Sequence, residues 1–464
     1  HTHTQTRTHT HVHQHPLRTM SALQPTMPFA VVSVAFVLAV CYSLAGAGHG
    51  ADVLELHGSG TTNPQKLLWK TMSILETRAK VPIRMTYRAV GSSTGQKEFI
   101  GEDTDFSPLG NFGSGDIPFS KDNYDAMISR DQPLLHIPFL MGAISFFHSI
   151  PSSLPLDLNA CLLAKIFNLD ITMWDNEEIL AYGNNNALES VVAGKKINVV
   201  RRVFGSSSTS IATTYLKVAT ESQGCAAAWP VDMVGSGDAD KDTLEPIKAP
   251  FWGVGTVGQQ GSGGVASYVA ANEFSITYLD AGHGIAEGFS EVKIENKAGT
   301  ILDSQEADKA SAAQESLSVP ADLGADWSAA SLLDAPGANT WPMMTFSYLY
   351  VKQDMSSMGE SGALVRALVE YLLSDEGQGL LADFSFEKLP TSLIEKGRAA
   401  IAAATYAADV DVWEFESAAK TQAYNGAKGH IFSGKRQNWD QYVLGGVVDS
   451  IGGIDDLGIE HASH

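Results

Sequence analysis

GSGTTNP (Gly58–Pro64), GSSTG (Gly91–Gly95) and GSSSTS (Gly205–Ser210) are three serine- and threonine-rich turns set in equivalent local contexts. Each follows a run of strand character, namely Val53–Leu56, Ile83–Tyr87 and Ile197–Arg202, and each opens a segment with helical spacing. The first N–H groups of a helix have no partner within it and carry partial positive charge, so hydroxyl-bearing residues at that place can surround an oxyanion. One such turn is an ordinary turn. Three of them brought to a single point would trap an anion.

Working outward, the 464 residues with 44% hydrophobic content are enough for two lobes rather than one. The formal net charge of −21 argues against nucleic acid and anionic membrane surfaces, which reward clustered Lys and Arg. It leaves a small anion open as a partner. Charges farther than about 8 Å away are largely screened at physiological salt, so nearby donors decide local affinity. No H-E-x-x-H motif or paired-cysteine spacing suggests a metal, and no cofactor motif is present.

Residues 1–19 are a low-complexity His/Thr tract holding six of the chain's 14 histidines. Their alternation reads as a translated dinucleotide repeat upstream of a start at Met20 or Met27, and they are set outside the fold. Residues 20–50 read as a signal peptide. Phe29–Leu44 is an apolar run, short for a membrane span, followed by the small residues Ala45, Gly46 and Ala47. The expected destination is secreted, periplasmic or extracellular. No Lys or Arg lies between Met20 and Phe29, so an uncleaved membrane anchor stands as the alternative. Val40 before Cys41 is a poor lipoprotein cleavage box. Cys161 and Cys225 either pair in an oxidising compartment or are two unrelated buried thiols.

Strand-like and helix-like segments alternate from Ala51 to about Ala402, which predicts an α/β architecture with parallel strands. Helices are predicted over Gln65–Thr77, Ala160–Phe167, Asn176–Tyr182, Ser210–Thr220, Gly362–Leu373 and Ser392–Ala402. Asn63 is expected to cap the first, with Pro64 in its first turn. The chain is expected to pass between lobes near Ile137–Leu140 and near Trp341–Met344. Gly253–Gly264 reads as a loop and Ala298–Pro320 as a polar surface excursion. Trp69, Trp174, Trp229, Trp327 and Trp341 are assigned to packing. Residues 403–464 carry no assignable motif.

Several marks then stand in an order that resembles the phosphate-binding proteins of ABC phosphate uptake systems, the PstS family. They are GSGTTNP, the GSS of Gly91–Ser93, FGSGDIPFS (Phe112–Ser120), IFNLDITMWDNEEI (Ile166–Ile179), VVRR (Val199–Arg202), GADWS (Gly324–Ser328), TWP (Thr340–Pro342) and Leu389-Pro390. The resemblance implies a two-lobed, periplasmic-binding-protein-like fold of type II with a hinge and an interlobe ligand cleft. Lobe 1 would be 51–140 plus 341–402, and lobe 2 would be 141–340. It further implies a buried inorganic phosphate between the lobes; with no other stretch of membrane-spanning length, the mature protein is expected to be soluble, a monomer, and to meet a membrane transporter or receptor.

By motif position the resemblance assigns Thr62 and Asn63 to the first anion turn, Ser92 to the second, and Ser206, Ser207, Ser208 and Thr209 to the third, whose register stays open. Asp116 stands where the family keeps its phosphate-sensing aspartate, and Arg202 matches the anion-binding arginine. Two positions depart from the pattern. Asn63 replaces a phenylalanine, and Phe204 or Gly205 replaces an aspartate that pairs with the arginine in relatives, which predicts a freer arginine here. Arg201 and Arg202 must face opposite sides of their strand, so one is expected in the cleft and the other in solvent or a salt bridge.

Hydrogenphosphate still carries a proton at neutral pH and sulfate does not. An ionised Asp116 can accept from the P–OH group, whereas it would set its lone pairs against a sulfate oxygen in a cleft poor in water. Arg202 offers a planar fork to the remaining oxygens. Two other functions fit parts of the pattern. Another oxyanion such as sulfate or molybdate could be the ligand. Gly91–Gly95 also satisfies the G-x-S-x-G of a hydrolase, with Ser93 as nucleophile, His57–Gly60 as an oxyanion motif and His283 completing a triad.

Overall fold

In a computed structural model, which describes residues 53–101, 110–239, 246–315, 319–416 and 430–433, β1 (Leu54–Gly60) and β2 (Ile83–Ala89) pair in parallel. Leu54 lies beside Ile83 and Gly60 beside Ala89, so the first two serine turns leave the sheet at adjacent strand ends. Between them α1 (Gln65–Arg78) covers the sheet with Leu67, Leu68, Met72 and Leu75. After β2 comes α2 (Ser92–Ile100). β3 (Phe112–Gly115) then pairs with the end of β1, Gly60 beside Ser114, and delivers Asp116 at the same edge. Ligands of open α/β sheets bind outside the carboxyl ends of the strands, where these turns lie.

β4 (Leu134–His148) is buried at all fifteen positions, as a strand covered on both faces requires. It is followed by α3 (Ala160–Phe167), β5 (Asn198–Arg202), α4 (Ser207–Ser222), β6 (Val257–Gln259), α5 (Gly261–Ala271), β7 (Ser275–Asp280) and α6 (Ala281–Ala286). β8 (Met343–Lys352), α7 (Glu360–Leu372) and α8 (Thr391–Ala403) come later. The main sheet runs β2-β1-β3-β8-β4-β7-β5-β6. Two parallel blocks, β2-β1-β3 and β7-β5-β6, are joined through the antiparallel pair β8 and β4.

β4 serves both blocks. Leu134–Ala143 pairs with β8, and Ile144–His148 pairs with β7. The passages expected near Ile137–Leu140 and Trp341–Met344 therefore fall on or beside two long strands. Pro138 interrupts the β4 ladder at a bulge, where a missing N–H is tolerated, and Gln378 donates to the Phe139 carbonyl at 2.8 Å. Trp174, Trp229, Trp327 and Trp341 are fully buried in the core, and Trp69 packs against it half-buried.

Three expectations are corrected. Gly253–Gly264 is not one loop, because β6 and the first turn of α5 form within it; Gly258 sits so close to Val203 that a Cβ there would lie 2.4 Å from its Cγ1. Ala298–Pro320 contains a short strand at Ile301–Leu302 and a helix at Ser311–Glu315, with Leu302 and Ala312 buried. Asn63 does not cap α1. Pro64 occupies that position, and the Asn63 N–H instead donates to Thr61 Oγ1 at 3.3 Å.

Cys161 of α3 and Cys225 beyond α4 form a disulfide with Cα atoms 5.5 Å apart, which settles the alternative left by the sequence. Past α8, β9 (Glu414–Glu416) and β10 (Ile431–Ser433) pair in parallel. Trp413 stacks on Phe432, and the Lys80 N–H donates to the Ile431 carbonyl at 2.9 Å, so this part of the tail packs beside the end of α1. No helix among the described residues is long and apolar enough to cross a membrane. The low-complexity tract and the predicted signal peptide lie outside the described residues.

Candidate anion-binding site

Asp116, following β3, is wholly buried, and three hydroxyls donate to its carboxylate. Thr61 and Ser207 donate to Oδ2 at 2.5 and 2.8 Å, and Ser347 donates to Oδ1 at 2.5 Å. Thr345 donates to its carbonyl at 2.5 Å, and its own N–H reaches Ser92 Oγ at 3.4 Å. Burial pushes its carboxyl above the usual range, while Ser347, Thr61, Ser207 and Asn63 pull it back towards the ionised form. The buried Asn63 Nδ2 makes no hydrogen bond of regular geometry, although it faces Asp116 closely enough to act on it. An ionised carboxyl offers roughly four lone-pair directions. The three hydroxyls leave one further direction, for which Asn63 Nδ2 is the nearest donor of the protein's own.

Steric contacts bring the three turns together. A Cβ on Gly95 would lie 2.3 Å from Gly60 Cα, so the second helix start rests directly on the first turn. A Cβ on Gly205 would lie 2.4 Å from Ser93 Cβ, so the third turn touches the second. Only glycine permits either approach. Thr62 Oγ1 lies 3.4 Å from Ser262 Oγ, at the start of α5.

Within the third turn the register is now visible. Ser206 is the N-cap of α4, and its Oγ accepts from the Thr209 N–H at 3.4 Å. Ser207 turns its hydroxyl to Asp116, and Ser208 is buried beside it. Thr209 Oγ1 is bound to Tyr278 Oη at 2.8 Å. The hydroxyls of Ser206 and Thr209 thus serve the helix start and the core, whereas Ser207 faces the convergence point.

Arg202 ends β5, buried at 7% exposure. Nη1 donates to Ser262 Oγ at 3.1 Å, and Nε has no hydrogen-bond partner. Burial lowers its pKa; Tyr278, Asp280 and Asp116 act in the opposite direction. Asp280 therefore acts on Arg202 electrostatically, though among the described residues no ion pair or hydrogen bond joins the two. Arg201 does face elsewhere, but it is neither solvated nor at the surface. It is 6% exposed, and its Nε donates to Thr256 Oγ1 at 2.9 Å.

Thr345, Ser347, Ser262 and Asp280 were not singled out in the sequence. The first two had a signal, since they are alternate polar residues in the otherwise apolar β8. A cavity of about 660 Å³ runs from Asp116 between the two blocks, with Ser93, Gln96 and Lys97 on one wall and Ser210, Gly237 and Lys248 on the other.

The hydrolase arrangement gains nothing from the geometry. Among the described residues no hydrogen bond joins Ser93 to a histidine. His283 Nε2 lies 3.8 Å from Glu287, and His57 is held by Thr86 at 2.7 Å. No cluster of His, Cys, Asp or Glu among the described residues could hold a metal ion.

A buried acid and arginine under converging helix starts, in a sheet of two parallel blocks, define a binding cleft of the kind found in two-lobed solute receptors. A family profile described as the PBP superfamily domain matches residues 45–376, and the chain belongs to that superfamily. It is 26% identical over 383 residues to the phosphate-binding protein PstS of Methanocaldococcus jannaschii, covering 76% of this chain and 91% of the relative. It is 25% identical over 348 residues to PstS of Haemophilus influenzae, covering 74% and 91%. Among solved structures, a phosphate-binding protein from Stenotrophomonas maltophilia shares the fold with a TM-score of 0.57 at 17% identity, covering 74% of this chain and 93% of that one. A high-affinity periplasmic phosphate-binding protein solved with phosphate shares it with a TM-score of 0.55 at 19% identity, covering 75% and 93%. The fold is thus the two-lobed α/β one.

Proposed function

We propose that the chain is a non-catalytic receptor that captures hydrogenphosphate in the cleft between its lobes and presents it for uptake or sensing. One observation carries the reading: the buried Asp116 carboxylate, held by three hydroxyl donors with Asn63 facing it, stands where the helix starts of Ser92 and Ser207 meet the first turn. A P–OH donor would take the acceptor direction that the three hydroxyls leave, in place of the poorly placed Asn63 Nδ2. Ser92, Ser207, Ser208 and the turn at Thr62 and Asn63 would enclose the other oxygens, with Arg202 as the cationic partner. The relatives named as phosphate-binding proteins support the same ligand.

Lobe 1 would comprise 51–140 plus 341–402 and lobe 2 would comprise 141–340, flexing about β4 and β8. Secretion through the segment 20–50 accords with the disulfide, because such bonds persist in oxidising compartments. A membrane transporter or receptor would take the ligand from a monomer of this protein.

Calorimetry with phosphate, sulfate and molybdate tests the ligand. Phosphate is expected to bind alone or far more tightly, and stronger sulfate binding would refute the proton-sensing role of Asp116. Hydrolysis of p-nitrophenyl esters that is abolished by Ser93→Ala would refute the non-catalytic reading.

A further inference from the structure

We propose that Asp280 is the second acid of the anion site, facing Arg202 and Asp116 from β7, and that capture of the anion is coupled to a proton held on it. The inference rests on the phosphate reading above.

Asp280 ends β7 at the N-cap position of α6, where aspartate ordinarily accepts from the helix N–H groups. It makes no such bond. Its side chain is buried at 4% exposure, and Oδ1 has no hydrogen-bond partner. A buried carboxyl oxygen that declines its local cap needs another role. The groups acting on it are Asp116, beyond β3, and Arg202, at the end of the parallel neighbour β5. Of the other elements packed on β7, α6 brings His283, which itself feels Lys66 and Arg202, and Glu287 beyond it. On β4 the residue opposite Asp280 is Ile144, and α5 contains no charged side chain. From α4 the nearest polar contact to β7 is the Thr209 hydroxyl on Tyr278.

With both acids ionised, this buried cluster would carry two negative charges against one positive. A dianion added to it would make three uncompensated charges, at several kcal/mol per ion in a poorly solvated cleft. A proton on Asp280 removes one of them. The structure already favours that form: burial and then Asp116 push Asp280 up to about 8, against the opposing pull of Arg202 and of a backbone hydrogen bond. An anion settling beside it must raise the value further. Below pH 7 the acid is protonated before the ligand arrives. Above pH 8 capture draws a proton from solvent onto the Asp280 carboxylate, so affinity falls as pH rises.

The test is calorimetry of inorganic phosphate on the whole protein at pH 7 and pH 9, in two buffers of different ionisation enthalpy, comparing wild type with Asp280→Asn. The ligand's own protonation is common to both and cancels in the comparison. Wild type is expected to take up more protons than the variant at pH 9, approaching one, and to lose affinity relative to it by up to about tenfold per pH unit above 8. Equal proton counts and parallel affinity profiles would overturn the inference. Should Asp280→Asn fail to fold, Asp280→Glu becomes the readout: retained uptake supports the coupling, and its loss overturns it. If wild type binds no phosphate at either pH, the phosphate reading itself falls, and this inference with it.

Discussion

Asp116→Asn exchanges a carboxylate for an amide of nearly the same shape at the point where Thr61, Ser207 and Ser347 converge. The amide oxygen can keep two of these hydroxyls, and the third can rotate to accept from the new NH₂ group, so the fold should survive. Phosphate would lose one charge-assisted hydrogen bond, worth about 1.5–3 kcal/mol, or roughly 10- to 150-fold in affinity. Part of that loss is offset because the variant no longer repels an anion. Sulfate loses nothing and gains a donor where it had met lone pairs. A site built to pair one polar hydrogen rejects the analogue lacking it by up to about 10⁴-fold. Asp116→Asn should shrink the phosphate-to-sulfate ratio from that range to within about tenfold, while phosphate affinity itself falls by no more than about 100-fold. Competitive calorimetry at pH 7.5 measures both numbers. An unchanged ratio, with affinity altered equally for the two anions, would refute the assignment of Asp116 as the group that senses the ligand's proton.

Arg202→Lys keeps the charge but not the planar fork and the contact to Ser262, so phosphate affinity should drop about tenfold or more in the same calorimetry. Gly205→Ala places a methyl within 2.4 Å of Ser93 Cβ; it should weaken phosphate binding while leaving the circular dichroism spectrum unchanged, because the clash lies between two turns of the cleft and not in the interior of a helix or strand. Breaking the Cys161–Cys225 bond, which spans 64 residues, should cost about 4 kcal/mol by the chain-entropy account, read as a lower denaturation midpoint in reductant. In the absence of ligand, the raised Asp280 carboxyl makes the folded state bind more protons than the unfolded one between the ordinary carboxylate range and about pH 8. Its contribution to stability is therefore greatest at low pH and is lost as pH rises through that window, and Asp280→Asn should flatten the corresponding fall in melting temperature.

What could be read from the sequence was local. Gly58–Pro64, Gly91–Gly95 and Asp116 carry their meaning in a few adjacent residues, and the parallel pairing of β1, β2 and β3 brings those residues to one edge. The register of the third turn was not legible, since it depends on which serine leaves the extended region to become the cap; Ser206 does, and that single choice aims Ser207 at Asp116. Ser262 and Asp280 reach the site from a helix start and a strand end remote in the chain, and nothing in their neighbours marks them. The glycine-rich run at Gly253–Gly264 misled for a related reason. Glycine there signals close packing, against Val203, as much as a loop.

A chain of net charge −21 can hold an anion because the charges that matter are few and internal. If Asp280 keeps its proton, Asp116 and Arg202 cancel, and the dianion is stabilised chiefly by oriented N–H and hydroxyl dipoles, while exterior charges farther than about 8 Å are largely screened. The donors also come from both sheet blocks: the first two turns and Asp116 from one, Ser207 and Arg202 from the other. Among the described residues, two hydrogen bonds at the site join the blocks, Ser207 to Asp116 at 2.8 Å and Thr62 to Ser262 at 3.4 Å. At about 1 kcal/mol each for ordinary hydrogen bonds, and somewhat more for the one to the carboxylate, they bias closure only weakly. An anion that bridges donors from both sides would add several charge-assisted contacts to the closed form alone, so ligand binding and closure would become one equilibrium, with release requiring the blocks to part.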